Sequence, residues 1–272
     1  MAESGEVVLY AVADGVARIT LNRPERLNAS NRTLSQGLTA AFSRAAADPE
    51  VRVILLSGAG RAFCAGADMQ VLNDLSNDPN APNQGSGGLR YDGLMLLPKP
   101  VIAAVHGACA GIGLAMACCA DVRLAAEDAQ FVAPFSRLGL CAEGGLAWLL
   151  GRLIGPGNAA DMLLSARKVG AQEALAKGLV AQVLPAEGFV EAALAYAVDM
   201  AKGAPASFAM IKQQLREAAN GDFEEARSKS FGLARETLAG DDFKEAIAAR
   251  RDGRPARFSS VVGNFSPPVS QG

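Results

Sequence analysis

Two stretches of sequence decide the fold, Val105-His106-Gly107-Ala108-Cys109-Ala110-Gly111-Ile112-Gly113 and Phe63-Cys64-Ala65-Gly66-Ala67-Asp68. Each belongs to a segment in which the pattern predicts a buried strand, then a glycine-rich turn, then the start of a helix. The strand that precedes the Phe63–Asp68 stretch is predicted at Val51–Ser57. A helix start leaves backbone N–H groups without partners and carries partial positive charge. If both strands lie in one sheet, both turns emerge at the same edge. Two N–H groups could then meet on one oxygen atom, as in an oxyanion hole.

Two other interpretations of these turns compete with the oxyanion hole. Each turn could merely connect packed elements. The pair Gly111 and Gly113 also matches part of a dinucleotide-binding fingerprint. That fingerprint needs a third glycine where this chain has Met116, and the apolar helix ends by Asp121. A dinucleotide unit runs for about 30 residues, so the dinucleotide hypothesis is disfavoured, while simple connection remains open.

The wider pattern predicts an α/β core followed by a helical region. Asp14-Gly15 lies between two apolar segments and predicts a β-hairpin. Strand patterns alternate with helix patterns in the first part of the chain, and helix patterns alone follow, which favours this architecture. Asn73–Gly88 is predicted to be a surface loop and Gly253–Gly272 an irregular tail. The predicted strands are Val7–Val12, Val16–Leu21, Val51–Ser57, Pro100–Val105 and Asp121–Ala125, and the predicted helices are 31–47, 111–119, 146–150, 157–165, 171–177, 187–202, 205–219, 222–238 and 241–251.

Composition narrows the classes of function. The chain has 272 residues, a net charge of −2 and only 6% aromatic residues, so nothing points to a nucleic-acid partner. Five cysteines without a C-x-x-C spacing predict a reduced, cytoplasmic protein. Glycines and His106 interrupt the apolar run Val101–Ala120, which favours a buried strand and helix over a membrane span. His106 is the only histidine, so we expect no histidine-centred metal site.

Several motifs together resemble the crotonase (enoyl-CoA hydratase/isomerase) superfamily. They occur in family order from about residue 7 to residue 251. The resemblance implies a ββα spiral core at residues 1–200 and a C-terminal helical trimerisation region at 201–272. It also implies a homotrimer or a dimer of trimers. The motifs are Leu21-Asn22-Arg23-Pro24-Glu25-Arg26-Leu27-Asn28-Ala29, Phe63-Cys64-Ala65-Gly66-Ala67-Asp68, Pro100-Val101-Ile102-Ala103-Ala104-Val105-His106-Gly107, Cys119-Ala120-Asp121, Ala129-Gln130-Phe131 and Gly178-Leu179-Val180.

The resemblance also implies a binding site for an acyl-coenzyme A thioester, which would be the substrate, with no separate cofactor. The N–H groups of Ala67 and Ile112 would be the oxyanion-hole donors. The acyl chain would pass Met69 and Leu72. Arg26 is the candidate partner of a phosphate group, although an exposed loop arginine is often only solvated. The adenine and pantetheine parts would be lined by Arg26, Asn28, Ala29, Ala65 and Asp68.

The chain departs from the family pattern at the positions of two catalytic acids. Family hydratases carry one glutamate on the helix after the second oxyanion turn and another after the A-Q-F strand. Here those positions hold Ala115 and Phe135. Addition of water needs carboxylates to take and supply protons. Ordinary hydratase activity is therefore not expected.

One carboxylate remains in a suggestive place. Glu143 followed by Gly144 resembles the Δ3,Δ2-enoyl-CoA isomerase branch, in which a single glutamate moves a proton from C2 to C4, although Ala142 replaces the usual proline. Apolar residues around it (Phe135, Leu140 and Leu146) predict a buried Glu143, an environment that suits a proton shuttle. The alternative for Glu143 itself is a solvent-facing acid near a helix start. The alternative functions for the protein are thioester hydrolysis, an atypical hydration, or binding of acyl-CoA by a trimer without catalysis.

Three further polar residues are expected to have structural roles. His106 should stabilise the turn after its strand. Asp68 should cap a helix or bind loop amides rather than transfer protons. Asp121 should anchor the start of its strand.

Overall fold

The computed structural model describes residues 6–78, 93–219 and 221–259. Its framework consists of two sheets with helices packed around them. Residues 79–88 of the predicted surface loop and residues 260–272 of the predicted tail lie outside the described residues. The rest of that tail, residues 253–259, has no regular helix or strand, as expected.

The larger sheet has six strands and begins with the predicted hairpin. Asp14 and Gly15 both have positive φ angles, 52° and 77°, which suits the two-residue turn between antiparallel strands. The remaining neighbours in the sheet are parallel. In spatial order the strands are β1 (Val8–Ala13), β2 (Val16–Leu21), β3 (Val53–Gly58), β5 (Val101–Val105), β7 (Val122–Ala126) and β10 (Gln182–Leu184).

A second, four-stranded sheet carries the two decisive turns. Its strands, in spatial order, are β4 (Ala62–Cys64), β6 (Ala108–Ala110), β8 (Gln130–Val132) and β9 (Val169–Gly170). The first three are parallel and β9 is antiparallel. The sequence pattern had placed β4 and β6 inside glycine-rich loops. Each has only three residues, too few for an alternating pattern to be recognised.

The helices follow the predicted order with some changes of bounds. Residues 73–77 were expected in a loop but belong to a helix. The helices expected at Leu146–Leu150 and from residue 157 form one helix that is kinked at Gly155. No helix in the described ranges is long and apolar enough to cross a membrane. The helices are α1 (Arg32–Ala47), α2 (Met69–Asn77), α3 (Gly93–Leu96), α4 (Ile112–Cys119), α5 (Phe135–Leu138), α6 (Leu146–Ser165), α7 (Ala171–Ala176), α8 (Phe189–Met200), α9 (Pro205–Ala218), α10 (Phe223–Ala239) and α11 (Asp241–Asp252).

The core lies on both faces of the larger sheet. One apolar cluster joins that sheet to α1, α4, α6 and the second sheet, and a smaller cluster joins the other face to α8. By contrast, α10 has no buried residue, and Phe223, Phe231 and Leu238 on it are more than half exposed. Such an apolar surface is typical of an interface. The trimer and the boundary at residue 200 stay predictions.

Candidate functional site

The two glycine-rich turns lie side by side. Strands β4 and β6 are parallel neighbours, so the turns that follow them emerge at the same edge of the second sheet. A Cβ atom built on Gly111 would lie 3.9 Å from the Cα atom of Gly66. The expected meeting of the turns is therefore confirmed, although the strands that bring them together are β4 and β6.

Glycine makes this close approach possible at two positions. A Cβ atom on Gly113, in the first turn of α4, would lie 2.4 Å from the carbonyl oxygen of Cys64 in β4. Gly66 has a φ of +108°, and a Cβ atom on it would lie 3.2 Å from the carbonyl oxygen of Ala110. Side chains at either position would push helix α4 away from β4 or strain the turn.

The N–H groups of Ala67 and Ile112 have no acceptor within the described part of the chain. Ala67 forms a parallel β-bridge with Ser30. The hydrogen bonds of this bridge use the residues on either side of Ala67: the N–H of Ser30 donates to the carbonyl oxygen of Gly66, and the carbonyl oxygen of Ser30 accepts from the N–H of Asp68. The amide of Ala67 therefore points away from this ladder. Ile112 is the first residue of α4, where no intrahelical acceptor exists. Both amides are available to a ligand oxygen, and their use as an oxyanion hole stays a prediction.

Arg23 connects the loop at Ala29 to Asp68, which directly follows the turn at Gly66 and Ala67. The sequence did not suggest this role for Arg23. Its guanidinium donates to the carbonyl oxygen of Ala29 and, at 2.9 Å, to the carboxylate of Asp68. Asp68 also accepts from the N–H of Gln70 and so caps α2, which confirms its expected structural role. Burial opposes ionisation of Asp68, but the hydrogen bonds from Gln70 and Arg23 and the arginine charges outweigh it and hold its pKa below the ordinary value.

Asn28 shapes the same loop from the inside. Its side chain is fully buried and donates to the carbonyl oxygens of Ala59 and Ala62 at 2.9 and 2.7 Å. The polar atoms of this side chain are thus used within the protein, and the predicted contact of its loop with coenzyme A stays a prediction. Ala29 is also buried, so little of its surface is open to a ligand.

Other predicted contact residues remain accessible. Arg26 is exposed, Ala65 is partly exposed and Met69 is 66% exposed at the start of α2. Their contacts with coenzyme A stay predictions. The described residues include no group of three His, Cys, Asp or Glu side chains placed to hold a metal ion.

Glu143 lies in the connection between α5 and α6, and its predicted burial is wrong. Its side chain is exposed. Phe135 and Leu146 are buried, but they turn into the core, and Leu140 is 43% exposed. The connection nevertheless rests on α4, since a Cβ atom on Gly144 would lie 3.7 Å from the Cβ of Ala115. Glu143 thus borders the helix whose first N–H belongs to Ile112.

Two polar anchors hold the surrounding elements. Nε2 of His106 lies 3.0 Å from the carbonyl oxygen of Gly60, so the turn that His106 contacts is the one between β3 and β4, not the one after its own strand. Asp121 accepts from the N–H of Val101 at 2.7 Å, as expected for a strand anchor. The buried Lys212 of α9 forms an ion pair with Asp121, a contact between the last helices and the core that the sequence had not revealed.

These features define an α/β protein in which two amides at one sheet edge have no acceptor among residues 6–78, 93–219 and 221–259. The sequence model of the Enoyl-CoA hydratase/isomerase family matches residues 11–260, and the chain belongs to this family, the crotonase superfamily.

Some relatives are named as hydratases and another as an isomerase. A Rhodobacter capsulatus protein named "Probable enoyl-CoA hydratase" is 35% identical over 94% of this chain and 99% of its own. The 1,2-epoxyphenylacetyl-CoA isomerase of Escherichia coli K12 is 34% identical over 93% of this chain and 98% of its own. The crystal structure of an enoyl-CoA hydratase from Polaromonas sp. JS666 has a TM-score of 0.86 at 30% identity, covering 92% of this chain and 99% of that one.

Proposed function

We propose that the protein is an enoyl-CoA isomerase that converts 3-enoyl-CoA to 2-enoyl-CoA. One observation carries the proposal: Ala115 and Phe135 stand where, by the family resemblance, hydratases carry their two glutamates, while Glu143 precedes the glycine that rests on Ala115. The site thus keeps one acid beside α4 and lacks the pair that hydration needs. Isomerisation needs only one group to remove a proton and return it.

The proposed reaction uses the two amides and one carboxylate. The thioester oxygen accepts hydrogen bonds from the N–H groups of Ala67 and Ile112. The carboxylate of Glu143 takes a proton from C2, the electron pair moves into a dienolate whose negative charge sits on that oxygen, and the same carboxyl group returns the proton at C4. Each well-placed amide contributes about 3 kcal/mol to stabilising such an oxyanion.

The exposure of Glu143 has a consequence for this mechanism. Between the two transfers, the proton held on the carboxyl group of Glu143 can exchange with bulk water unless the bound acyl chain covers it. A fraction of the hydrogen delivered to C4 is therefore expected to come from solvent, and that fraction measures how well the acyl chain closes the site.

The same exposure favours a second candidate, an acyl-CoA-binding protein without catalysis. A buried carboxylate beside the thioester would argue against a protein that only binds acyl-CoA, because binding does not need such a group. Glu143 is exposed, so its presence does not argue against the second candidate. The isomerase name of the Escherichia coli relative supports the first candidate, since that protein rearranges a coenzyme A thioester.

One assay separates the candidates. The purified protein is incubated with 3-hexenoyl-CoA and the absorbance of the conjugated 2-enoyl thioester is followed, with free thiol measured in parallel and 3-hydroxyacyl-CoA measured by chromatography. Isomerisation gives the conjugated product alone. Thiol release indicates hydrolysis, hydroxyacyl product indicates hydration, and calorimetric binding with no product indicates the second candidate and refutes the isomerase.

A further inference from the structure

We propose that Arg23 is a positioning residue that sets the direction of the Ala67 amide by clamping Asp68 to Ala29. The inference rests on the proposed function, because it concerns the amide that would bind the thioester oxygen. Arg23 itself does not need to touch the substrate. Its effect would pass through the residue next to the donor, since Asp68 directly follows Ala67.

The contacts of Arg23 define the clamp. One guanidinium nitrogen donates to the carbonyl oxygen of Ala29, and the other donates to Oδ2 of Asp68 at 2.9 Å. Each acceptor lies one residue from the Ser30–Ala67 bridge, with Ala29 before Ser30 and Asp68 after Ala67. The planar guanidinium therefore spans the two segments beside the bridge and restrains their relative rotation.

The surroundings make this clamp stiff. The side chains of Arg23 and Asp68 are only 14% and 10% exposed, so water competes weakly for the ion pair. Asp68 has two restraints, since its other carboxylate oxygen accepts from the N–H of Gln70 at 3.1 Å. Turning Ala67 would therefore strain the ion pair and the cap of α2 together.

The loop that carries Arg23 and Ala29 depends on such restraints. Leu27 and Asn28 both have left-handed backbones, with φ of 51° and 55°, a conformation that costs free energy in non-glycine residues. Asn28 fixes the inner side of the loop through Ala59 and Ala62. Arg23 fixes its outer side against Asp68. Without Arg23 the hydrogen bonds between Ser30 and the turn remain, so we expect the fold to persist while the orientation of the amide loosens.

The test compares Arg23→Met, Arg23→Lys and Asp68→Asn with Arg18→Met, which removes an exposed arginine from β2. Two measurements are made on the purified full chain. The first is kcat and KM with 3-hexenoyl-CoA. The second is the absorption maximum of bound 4-(dimethylamino)cinnamoyl-CoA, a dye that shifts to longer wavelength when its thioester carbonyl is polarised.

The expected result is a loss of polarisation with retained binding. In Arg23→Met, kcat falls by up to about a hundredfold, the cost of a misplaced group, KM stays near the wild-type value, and the dye loses most of its red shift. Arg23→Lys restores part of both signals, since lysine keeps the positive charge but lacks the planar fork that holds both acceptors at once. Arg18→Met behaves like the wild type.

The outcomes distinguish this inference from the proposed function. If the wild type shifts the dye but does not isomerise 3-hexenoyl-CoA, the proposed function fails and the dye still tests the clamp. A normal red shift in Arg23→Met, or a wild type that binds the dye without any shift, overturns the inference. If Arg23→Met does not fold, Arg23→Lys and Asp68→Asn decide by the same criterion: wild-type dye spectra in both overturn it.

Discussion

Gly144 rests on Ala115: a Cβ atom on Gly144 would be 3.7 Å from the Cβ of Ala115. Ala115 lies one helical turn after Ile112 on α4. The backbone next to Glu143 is therefore fixed above the helix that presents the second amide, even though the side chain of Glu143 is exposed. This contact is the structural reason for testing Glu143 as the acid of the site.

Replacing Glu143 with Gln should abolish isomerisation and leave acyl-CoA binding nearly unchanged. Gln has almost the same shape but cannot accept the C2 proton, and a general base contributes about 100- to 10,000-fold to a rate. The measurements are kcat with 3-hexenoyl-CoA and the dissociation constant of a saturated acyl-CoA. Glu187→Gln, at another exposed glutamate, serves as the control. Wild-type turnover in Glu143→Gln would remove this residue from the mechanism.

Replacing Ile112 with Pro should remove one oxyanion donor while keeping the helix. Proline is well tolerated at the first position of a helix, where the N–H has no intrahelical partner, and Ile112 occupies that position in α4. Loss of one such donor lowers kcat by about 100- to 1,000-fold. Circular dichroism checks folding, and Ile112→Val keeps the amide as a control. A folded Pro variant with full activity would contradict the assigned hole.

Replacing Gly113 with Ala should destabilise the protein. The added methyl group would lie 2.4 Å from the carbonyl oxygen of Cys64, so α4 must move from β4, at a cost of about 1–3 kcal/mol. Gly232→Ala in α10 is a matched control, because a Cβ there meets nothing within 4 Å and alanine favours the helix by about 0.5–1 kcal/mol. Urea unfolding measures both free energies. Equal stability of the two variants would refute the close packing of α4 on β4.

Native protein should expose one reactive thiol of its five. Burial raises the pKa of Cys64 to about 11 and that of Cys118 to about 12, and it also raises the pKa of Cys109. Cys119 is buried as well, and Cys141 is the exposed one. Since the thiolate is the reactive form, a disulfide reagent at pH 8 should titrate one thiol in the native state and five in denaturant, with Cys141→Ser lowering both values by one. More than one fast thiol would show that the core opens.

The sequence predicted local structure better than the arrangement of the site. Asp14-Gly15 specifies the hairpin by its backbone preference, and long apolar runs specify β3 and β5. The exposure of Glu143 was mispredicted because it depends on which way the chain turns between α5 and α6, not on the apolar character of its neighbours. The Arg23–Asp68 pair joins residues 45 positions apart, and only the folded chain brings them together.

Acid should weaken the protein partly through Asp68. Its folded-state pKa lies below the ordinary value of an aspartate, so its ionised form contributes stability that is fully present above the unfolded-state pKa and is lost as pH falls through the folded-state pKa. Asp68→Asn keeps an acceptor for Gln70 but cannot titrate. Between about pH 5 and pH 3 the free energy of unfolding should therefore fall more steeply in the wild type than in Asp68→Asn, as measured by urea unfolding at each pH. Parallel curves for the two proteins would mean that Asp68 has the same pKa in the folded and unfolded chains, and the ion pair with Arg23 would then be too weak to act as a clamp.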